Sequence, residues 1–208
     1  MDKKKRVLFI GDVHGCYAEM LNLLKTMGYM PDKDRLIFVG DMTNKGPHSE
    51  KVLKFIYDNK CEAILGNHEL DFLHKIKQGK PHPLTNQLNA LDFWISWLEK
   101  LPLFIDTKEF LAVHAGICPN MELTDMPATL LTTIRTWDGK GQDLQNPKNP
   151  PWFELYHEEK LIIYGHWAAM GLTVRQNTIG LDSGCCYGGQ LSGLELPSRK
   201  IFQIDSIS

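Results

Sequence analysis

The chain has 208 residues, 43% of them hydrophobic and 23% charged, with a formal net charge of −2, a balance that suits one domain (1–208) with a sizeable core. A pI of about 6.4 and scattered basic residues leave no nucleic-acid footprint, and the one basic run, Lys3-Lys4-Lys5-Arg6, passes directly into an apolar strand. No apolar stretch suggests a signal peptide or membrane span, and five cysteines, two of them adjacent at Cys185-Cys186, are a poor disulfide framework that fits a reducing cytoplasm.

Val7-Leu8-Phe9-Ile10 reads as a short buried strand that ends at Gly11-Asp12-Val13-His14-Gly15. Side chains at i and i+2 of an extended chain share a face, so Asp12 and His14 can aim a carboxylate oxygen and an imidazole nitrogen at one point. Tyr17 to Met27 has helical apolar spacing and is closed by Gly28 and Pro31. A second strand, Arg35 to Val39, runs into Gly40-Asp41, and Pro47-His48-Ser49 opens another amphipathic helix. A third strand, Cys61 to Leu65, ends at Gly66-Asn67-His68-Glu69. This alternation is the α/β pattern, in which ligands sit beyond the carboxyl ends of the strands.

Residues 70–108 read as a helical insertion, with Phe93, Trp94, Trp97, Leu98 and Leu101 as its apolar stripe; helix packing explains these tryptophans better than base stacking. Phe110 to Val113 resumes the strand pattern and ends at His114-Ala115-Gly116. A second insertion, about 117–158, holds a short helix near 128–133, then Arg135, and a Gly-, Asn- and Pro-rich run at 139–151 expected to be a mobile loop. Leu161 to Tyr164 is a buried strand ending at Gly165-His166. Late strands, read as antiparallel, fall at 178–182 and 191–196, with a last one at 201–204.

Asp12, His14, Asp41, Asn67, His114 and His166 therefore each follow a strand-like run. Core packing explains one such histidine easily and six such residues poorly. Mixed carboxylate, imidazole and amide oxygen donors suit two borderline divalent ions, with Mn preferred and Fe, Co or Zn as alternatives. A carboxylate shared between two ions holds them about 3.5–4 Å apart, and Asp41, central in the series, is the natural bridge. Arg135 is a candidate phosphate clamp, because a planar guanidinium matches oxyanions.

The same residues resemble a family signature. Gly11-Asp12-Val13-His14-Gly15, Gly40-Asp41 with Gly46, Gly66-Asn67-His68-Glu69, His114-Ala115-Gly116 and Gly165-His166 look like the motifs of the phosphoprotein-phosphatase-type, calcineurin-like metallophosphoesterases, in the right order from about residue 6 to 205. The resemblance implies an αββα sandwich of two mixed β-sheets with small helical cap insertions. It implies Asp12, His14 and Asp41 on a first metal and Asp41, Asn67, His114 and His166 on a second. It makes His68 the acid for the leaving oxygen and a metal-bridging hydroxide the nucleophile.

The second motif departs from the protein-phosphatase pattern Gly-Asp-x-x-Asp-Arg-Gly, reading Gly40-Asp41-Met42-Thr43-Asn44-Lys45-Gly46. Asn44 cannot supply the carboxylate that charges His68, and Lys45 keeps a positive charge without the bidentate fork. This version, with Leu181-Asp182-Ser183-Gly184-Cys185-Cys186-Tyr187-Gly188-Gly189-Gln190-Leu191, is similar to the diadenosine-tetraphosphatase-like branch, whose substrates are dinucleoside polyphosphates cleaved symmetrically to ADP. Two readings stand beside a small-molecule nucleotide substrate. One is a serine/threonine protein phosphatase or broad phosphomonoesterase acting on phosphoproteins, and the other is a non-catalytic metal-binding module. An RNA 5′-polyphosphate is a variant of the first reading.

Overall fold

The computed structural model describes residues 6–119 and 121–207; Lys3, Lys4 and Lys5 of the basic run lie outside them. Two five-stranded sheets carry the fold. In the first, β1 (Val7–Ile10) is flanked by parallel β2 (Arg35–Phe38) and antiparallel β9 (Gln190–Leu196). The two-residue β3 (Glu62–Ala63) and the antiparallel β10 (Lys200–Asp205) form its edges. The second sheet runs β4 (Phe104–Asp106), β5 (Phe110–Val113), β6 (Leu161–Tyr164), β8 (Thr178–Gly180) and β7 (Thr173–Val174).

The side-chain period of two divides each strand between two cores. Phe9, Ile37, Phe110, Ala112, Ile163 and Ile179 fill the space between the sheets, where the Phe9 and Phe110 rings meet edge to face at 4.9 Å. Their neighbours Leu8, Ile10, Leu36 and Phe38 face outward under α1 (Tyr17–Met27), α2 (Ser49–Asp58), α3 (Asn67–Lys77) and α4 (Leu91–Leu98). Leu111, Val113, Ile162 and Tyr164 face the other way, under α5 (Ala128–Thr133) and Trp152. The central strands β1, β2, β5 and β6 are buried on both faces, which is why they read as continuous apolar runs rather than alternating ones.

Several elements differ from the sequence reading. The third strand shortens to Glu62–Ala63 because Leu65 N–H leaves the ladder for the Pro102 carbonyl, 2.9 Å away. Asn67-His68-Glu69 is then the first turn of α3 rather than a loop before an insertion. Residues 104–106, read as part of the helical insertion, form edge strand β4, antiparallel to β5. The strand at 178–180, expected to be antiparallel, runs parallel to β6 and antiparallel only to β7, whose two residues carry no periodic signal. Residues 139–151, expected to be a mobile loop, hold no helix or strand; the Asp138 carboxylate accepts N–H bonds from Lys140, Gly141, Gln142 and Asp143, and the Leu144 carbonyl accepts from Arg135 and Thr136. Trp94 and Leu98 of α4 are buried in the outer core, as the packing reading requires. All five cysteines are free. No helix among the described residues is long and apolar enough to cross a membrane.

Candidate active site

The two sheets present the carboxyl ends of β1, β2, β3, β5 and β6 to a common edge, and Asp12, Asp41, Asn67, His114 and His166 sit just beyond them. Turning back so sharply requires unusual backbone. Of the seven non-glycine residues with positive φ among the described residues, five belong to this edge: His14, Asp41, Asn44, Lys45 and His166. Such conformations cost about 1–3 kcal/mol each and persist only where neighbours enforce them. The loops enforce one another, with His14 N–H bonded to the Asp41 carbonyl at 2.8 Å and Gly15 N–H to the Met42 carbonyl at 3.0 Å. At Gly66 the approach is so close that a Cβ would stand 2.1 Å from Asp41 Oδ1, so only glycine fits.

Asp41 Oδ2 is the focus. It lies 3.5 Å from His14 Nε2, 3.4 Å from His114 Nε2 and 3.9 Å from His68 Nε2. Each inner histidine is oriented from behind: His14 Nδ1 bonds to the Thr43 carbonyl and His114 Nδ1 to the Val39 carbonyl, both at 2.9 Å. Because those Nδ1 atoms are donors, the Nε2 lone pairs face inward. His114 Nε2 then meets Asn67 Oδ1 at 3.0 Å, and His166 Nδ1 meets the same oxygen at 2.9 Å. Lone pairs converging at such distances repel unless a proton or cation lies among them.

The electrostatics agree. Burial alone would raise the Asp41 pKa, but His114, then His14 and His68, outweigh it and hold the carboxyl well below the usual range. His114 in turn is raised despite burial, because Asp41 faces it. Burial pushes His14 down to about 4 and His166, also beside His114, down to about 3, leaving neutral imidazoles. Asp12 is raised by burial and then by the nearby Asp182 and Asp41 carboxyls. One of its oxygens accepts His166 N–H at 3.0 Å, while buried Oδ1 has no partner, and nor does buried His166 Nε2. Three crowded carboxyl groups, neutral imidazoles and orphaned acceptors are a donor set that fits divalent cations.

Above this floor lies a cleft of about 540 Å³. Lys45 and Arg135 both line it, so the sequence-predicted clamp Arg135 reaches the site. Lys45 Nζ is 3.5 Å from His14 Nε2. Asn44 does not line the cleft; its Nδ2 contacts His68 Nδ1 from behind at 2.9 Å.

Three residues of this edge escaped the sequence reading. Glu69, wholly buried, accepts N–H bonds from Asp41, Gly66 and Thr43 and the Thr43 hydroxyl, locking the second and third loops together; burial and then Asp41 push its pKa up to about 7. Asp182 and Tyr187 line the cleft. Both lie in the tail motif, whose glycine density was the one available signal. A separate donor group, Cys16, Glu19 and Cys185, has ligand atoms within 4.8 Å of one another, but its thiols pack in the apolar core and none of the three lines the cleft.

Residues 5–170 match the model of the calcineurin-like phosphoesterase family. The chain belongs to this family. It is therefore a metal-dependent phosphohydrolase with the metallophosphoesterase fold. It is 31% identical to the symmetrical bis(5′-nucleosyl)-tetraphosphatase of Photorhabdus laumondii, over 95% of this chain and 96% of that one. It is 26% identical to the enzyme of the same name from Vibrio parahaemolyticus, over 95% and 98%. A crystal structure of a protein assigned as a diadenosine tetraphosphatase superposes with a TM-score of 0.90 at 29% identity, covering 99% of this chain and 95% of the other. A yeast (Saccharomyces cerevisiae) protein serine/threonine phosphatase shares the phosphoesterase fold, with a TM-score of 0.62 at 19% identity over 98% of this chain and 80% of that one.

Proposed function

We propose that this phosphoesterase hydrolyses dinucleoside polyphosphates and splits diadenosine tetraphosphate symmetrically into two molecules of ADP. The convergence of His14, His114, Asn67 and His166 around Asp41 at the floor of a cation-lined cleft carries the phosphohydrolase chemistry. The names of the relatives matched end to end support the substrate.

Asp12, His14 and Asp41 would hold one divalent ion and Asp41, Asn67, His114 and His166 a second, with manganese the ion to load first. His68 also lies near His14 and Asp41, yet its Nδ1 is engaged by Asn44 and it sits on the rim, whereas Asp12 offers a buried oxygen without a partner. Asp12 is therefore assigned as ligand and His68 as hydrogen-bond donor to the leaving group. Bound ions supply Lewis acidity towards the phosphoryl oxygens and the attacking water. The protein's residues do the rest: His68 Nε2–H donates a hydrogen bond to the leaving oxygen, and Lys45 and Arg135 hold phosphate oxygens and offset their charge.

The test is product analysis of manganese-loaded protein acting on diadenosine tetraphosphate. ADP alone is expected; ATP with AMP overturns symmetrical cleavage. Faster turnover of phosphoserine peptides than of the dinucleotide would transfer the assignment to the protein-phosphatase reading.

A further inference from the structure

Tyr187 is the most exposed aromatic side chain among the described residues, at 65%, and it stands on the lip of the active-site cleft. Exposing so much ring to water is unfavourable, and elsewhere on this surface it is mitigated: the rings of Tyr57 and Phe93, also exposed, pack on each other 5.1 Å apart. Tyr187 contacts Lys45 instead. The lysine Nζ donates to the Tyr187 hydroxyl and lies 4.6 Å from the ring centroid.

The turn that carries the ring is rigidly built. Cys185–Tyr187 form one 3₁₀ turn between Gly184 and Gly188, both left-handed. Asp182 Oδ1 accepts Gly184 N–H at 3.1 Å, Gly189 N–H returns to the Gly184 carbonyl at 3.0 Å, and Cys185 is buried beneath. Tyr187 is thus displayed by a braced support, and Ala168 and Ala169, also lining the cleft, add little bulk to it.

Position decides what the ring is for. From the buried His14 Nε2 at the metal-type floor the Lys45 ammonium is 3.5 Å away, and that ammonium, bonded to the Tyr187 hydroxyl, is 4.6 Å from the centroid of the exposed ring. A nucleoside diphosphate unit has the same order: reacting phosphate, neighbouring phosphate, ribose, base. We propose that Tyr187 is the stacking platform for a nucleobase of the substrate, with Lys45 holding the phosphate between base and reacting phosphorus. The proposal rests on the nucleotide reading above and names the residues that would make the site prefer a nucleotide to a bare phosphate. Aromatic–base stacking needs only a π-face, so the subsite should favour large purines over pyrimidines without strict base identity.

The experiment measures binding of ADP and of pyrophosphate to the manganese-loaded protein by calorimetry, alongside turnover of diadenosine tetraphosphate. Tyr187→Ala is expected to weaken ADP roughly 5- to 150-fold and to raise KM for the dinucleotide comparably, while pyrophosphate affinity moves less than about twofold. Tyr187→Phe, which keeps the ring and loses the hydroxyl bond to Lys45, should retain ADP binding within about threefold. Equal losses of ADP and pyrophosphate affinity in Tyr187→Ala would overturn the stacking role and leave Tyr187 as a brace for Lys45. Unchanged ADP affinity would overturn it outright. If the parent protein binds ADP through Tyr187 but does not cleave the dinucleotide, the substrate assignment fails and the subsite stands.

Discussion

Asn44 Nδ2 lies 2.9 Å from His68 Nδ1, and the orientation of that amide is fixed from its other end, where Asn44 Oδ1 accepts Lys45 N–H at 3.0 Å. The amide therefore donates, His68 Nδ1 accepts, and the imidazole proton resides on Nε2, facing the cleft. His68 is held neutral, in keeping with the downward shift that burial, and next Lys45, impose on it against the pull of Asp41. A neutral imidazole cannot surrender its Nε2 proton without becoming imidazolate, so His68 would give a leaving phosphate a hydrogen bond, which suffices there, and would not protonate an alkoxide. Asn44 is therefore expected to favour anhydrides over phosphoserine. Asn44→Asp should raise the His68 pKa by roughly one pH unit or more, since a carboxylate stabilises imidazolium. The expected readouts are an alkaline shift of the kcat–pH limb and a higher ratio of p-nitrophenyl phosphate to diadenosine tetraphosphate turnover. An unmoved limb and ratio would show that Asn44 does not set the protonation of His68.

His68→Ala should lower kcat by about 10²-fold, the size of losing one preorganised hydrogen-bond donor to the charge developing on the leaving oxygen. Metal content, read by elemental analysis, should stay at the parent value. A variant that loses its ions would show that His68 is a ligand and that Asp12 was placed wrongly.

The metal-type residues were legible because strand, glycine and donor recur five times in one direction, and strand ends of two facing sheets must meet at an edge. Spacing could not show how they are held. Glu69 binds backbone N–H groups of Asp41 and Thr43, 28 and 26 residues away in sequence, and no local pattern encodes such a bond. Tyr187 reaches Lys45 across 142 residues, a pairing that the tail motif's glycines hinted at only as a loop and that no local pattern encodes. The short strand at 173–174 was also opaque, since two residues cannot display a period, while the strand read over 61–65 pairs only at 62–63.

Glu69→Ala would leave four buried donors without an acceptor, three N–H groups and the Thr43 hydroxyl. The expected loss is about 3 kcal/mol or more, a Tm drop of roughly 6–12 °C for a chain of this size, together with weaker metal retention because the Asp41 loop loosens. Glu69→Gln keeps one acceptor oxygen and should recover part of both. Full stability in Glu69→Ala would mean that the two loops hold without this carboxyl.

Asp41→Asn should reduce occupancy of both ions, not one, since its carboxylate faces both histidine groups. Equilibrium dialysis against manganese reports the stoichiometry, and two tightly retained ions would exclude Asp41 as a bridge.

The metal-free protein should show an acid limb traceable to single histidines. His14 has its pKa lowered by burial to about 4, against the ordinary 6.5. Between those values the unfolded chain binds the proton and the folded one does not, so stability is complete above about pH 6.5 and falls as pH drops towards 4. The full cost is about 3 kcal/mol, and His166, lowered to about 3, continues the loss further down. Other groups act in the opposite sense. Glu69 and Asp12 are raised, so the folded state holds their protons more tightly and gains stability as pH falls through the upper part of the window; His114, also raised, does the same. The net slope is therefore shallow between about pH 6.5 and 4.5 and turns downward below the ordinary carboxyl values, where Asp41, held low, adds its own loss. Comparing chelator-treated parent and His14→Asn by chemical denaturation from pH 7 to 4 isolates one contributor, because all the other groups are common to both proteins. The variant should lose less stability than the parent across that range, by about 3 kcal/mol. Parallel curves would show that His14 titrates normally and that its lone pair is not held ready for an ion.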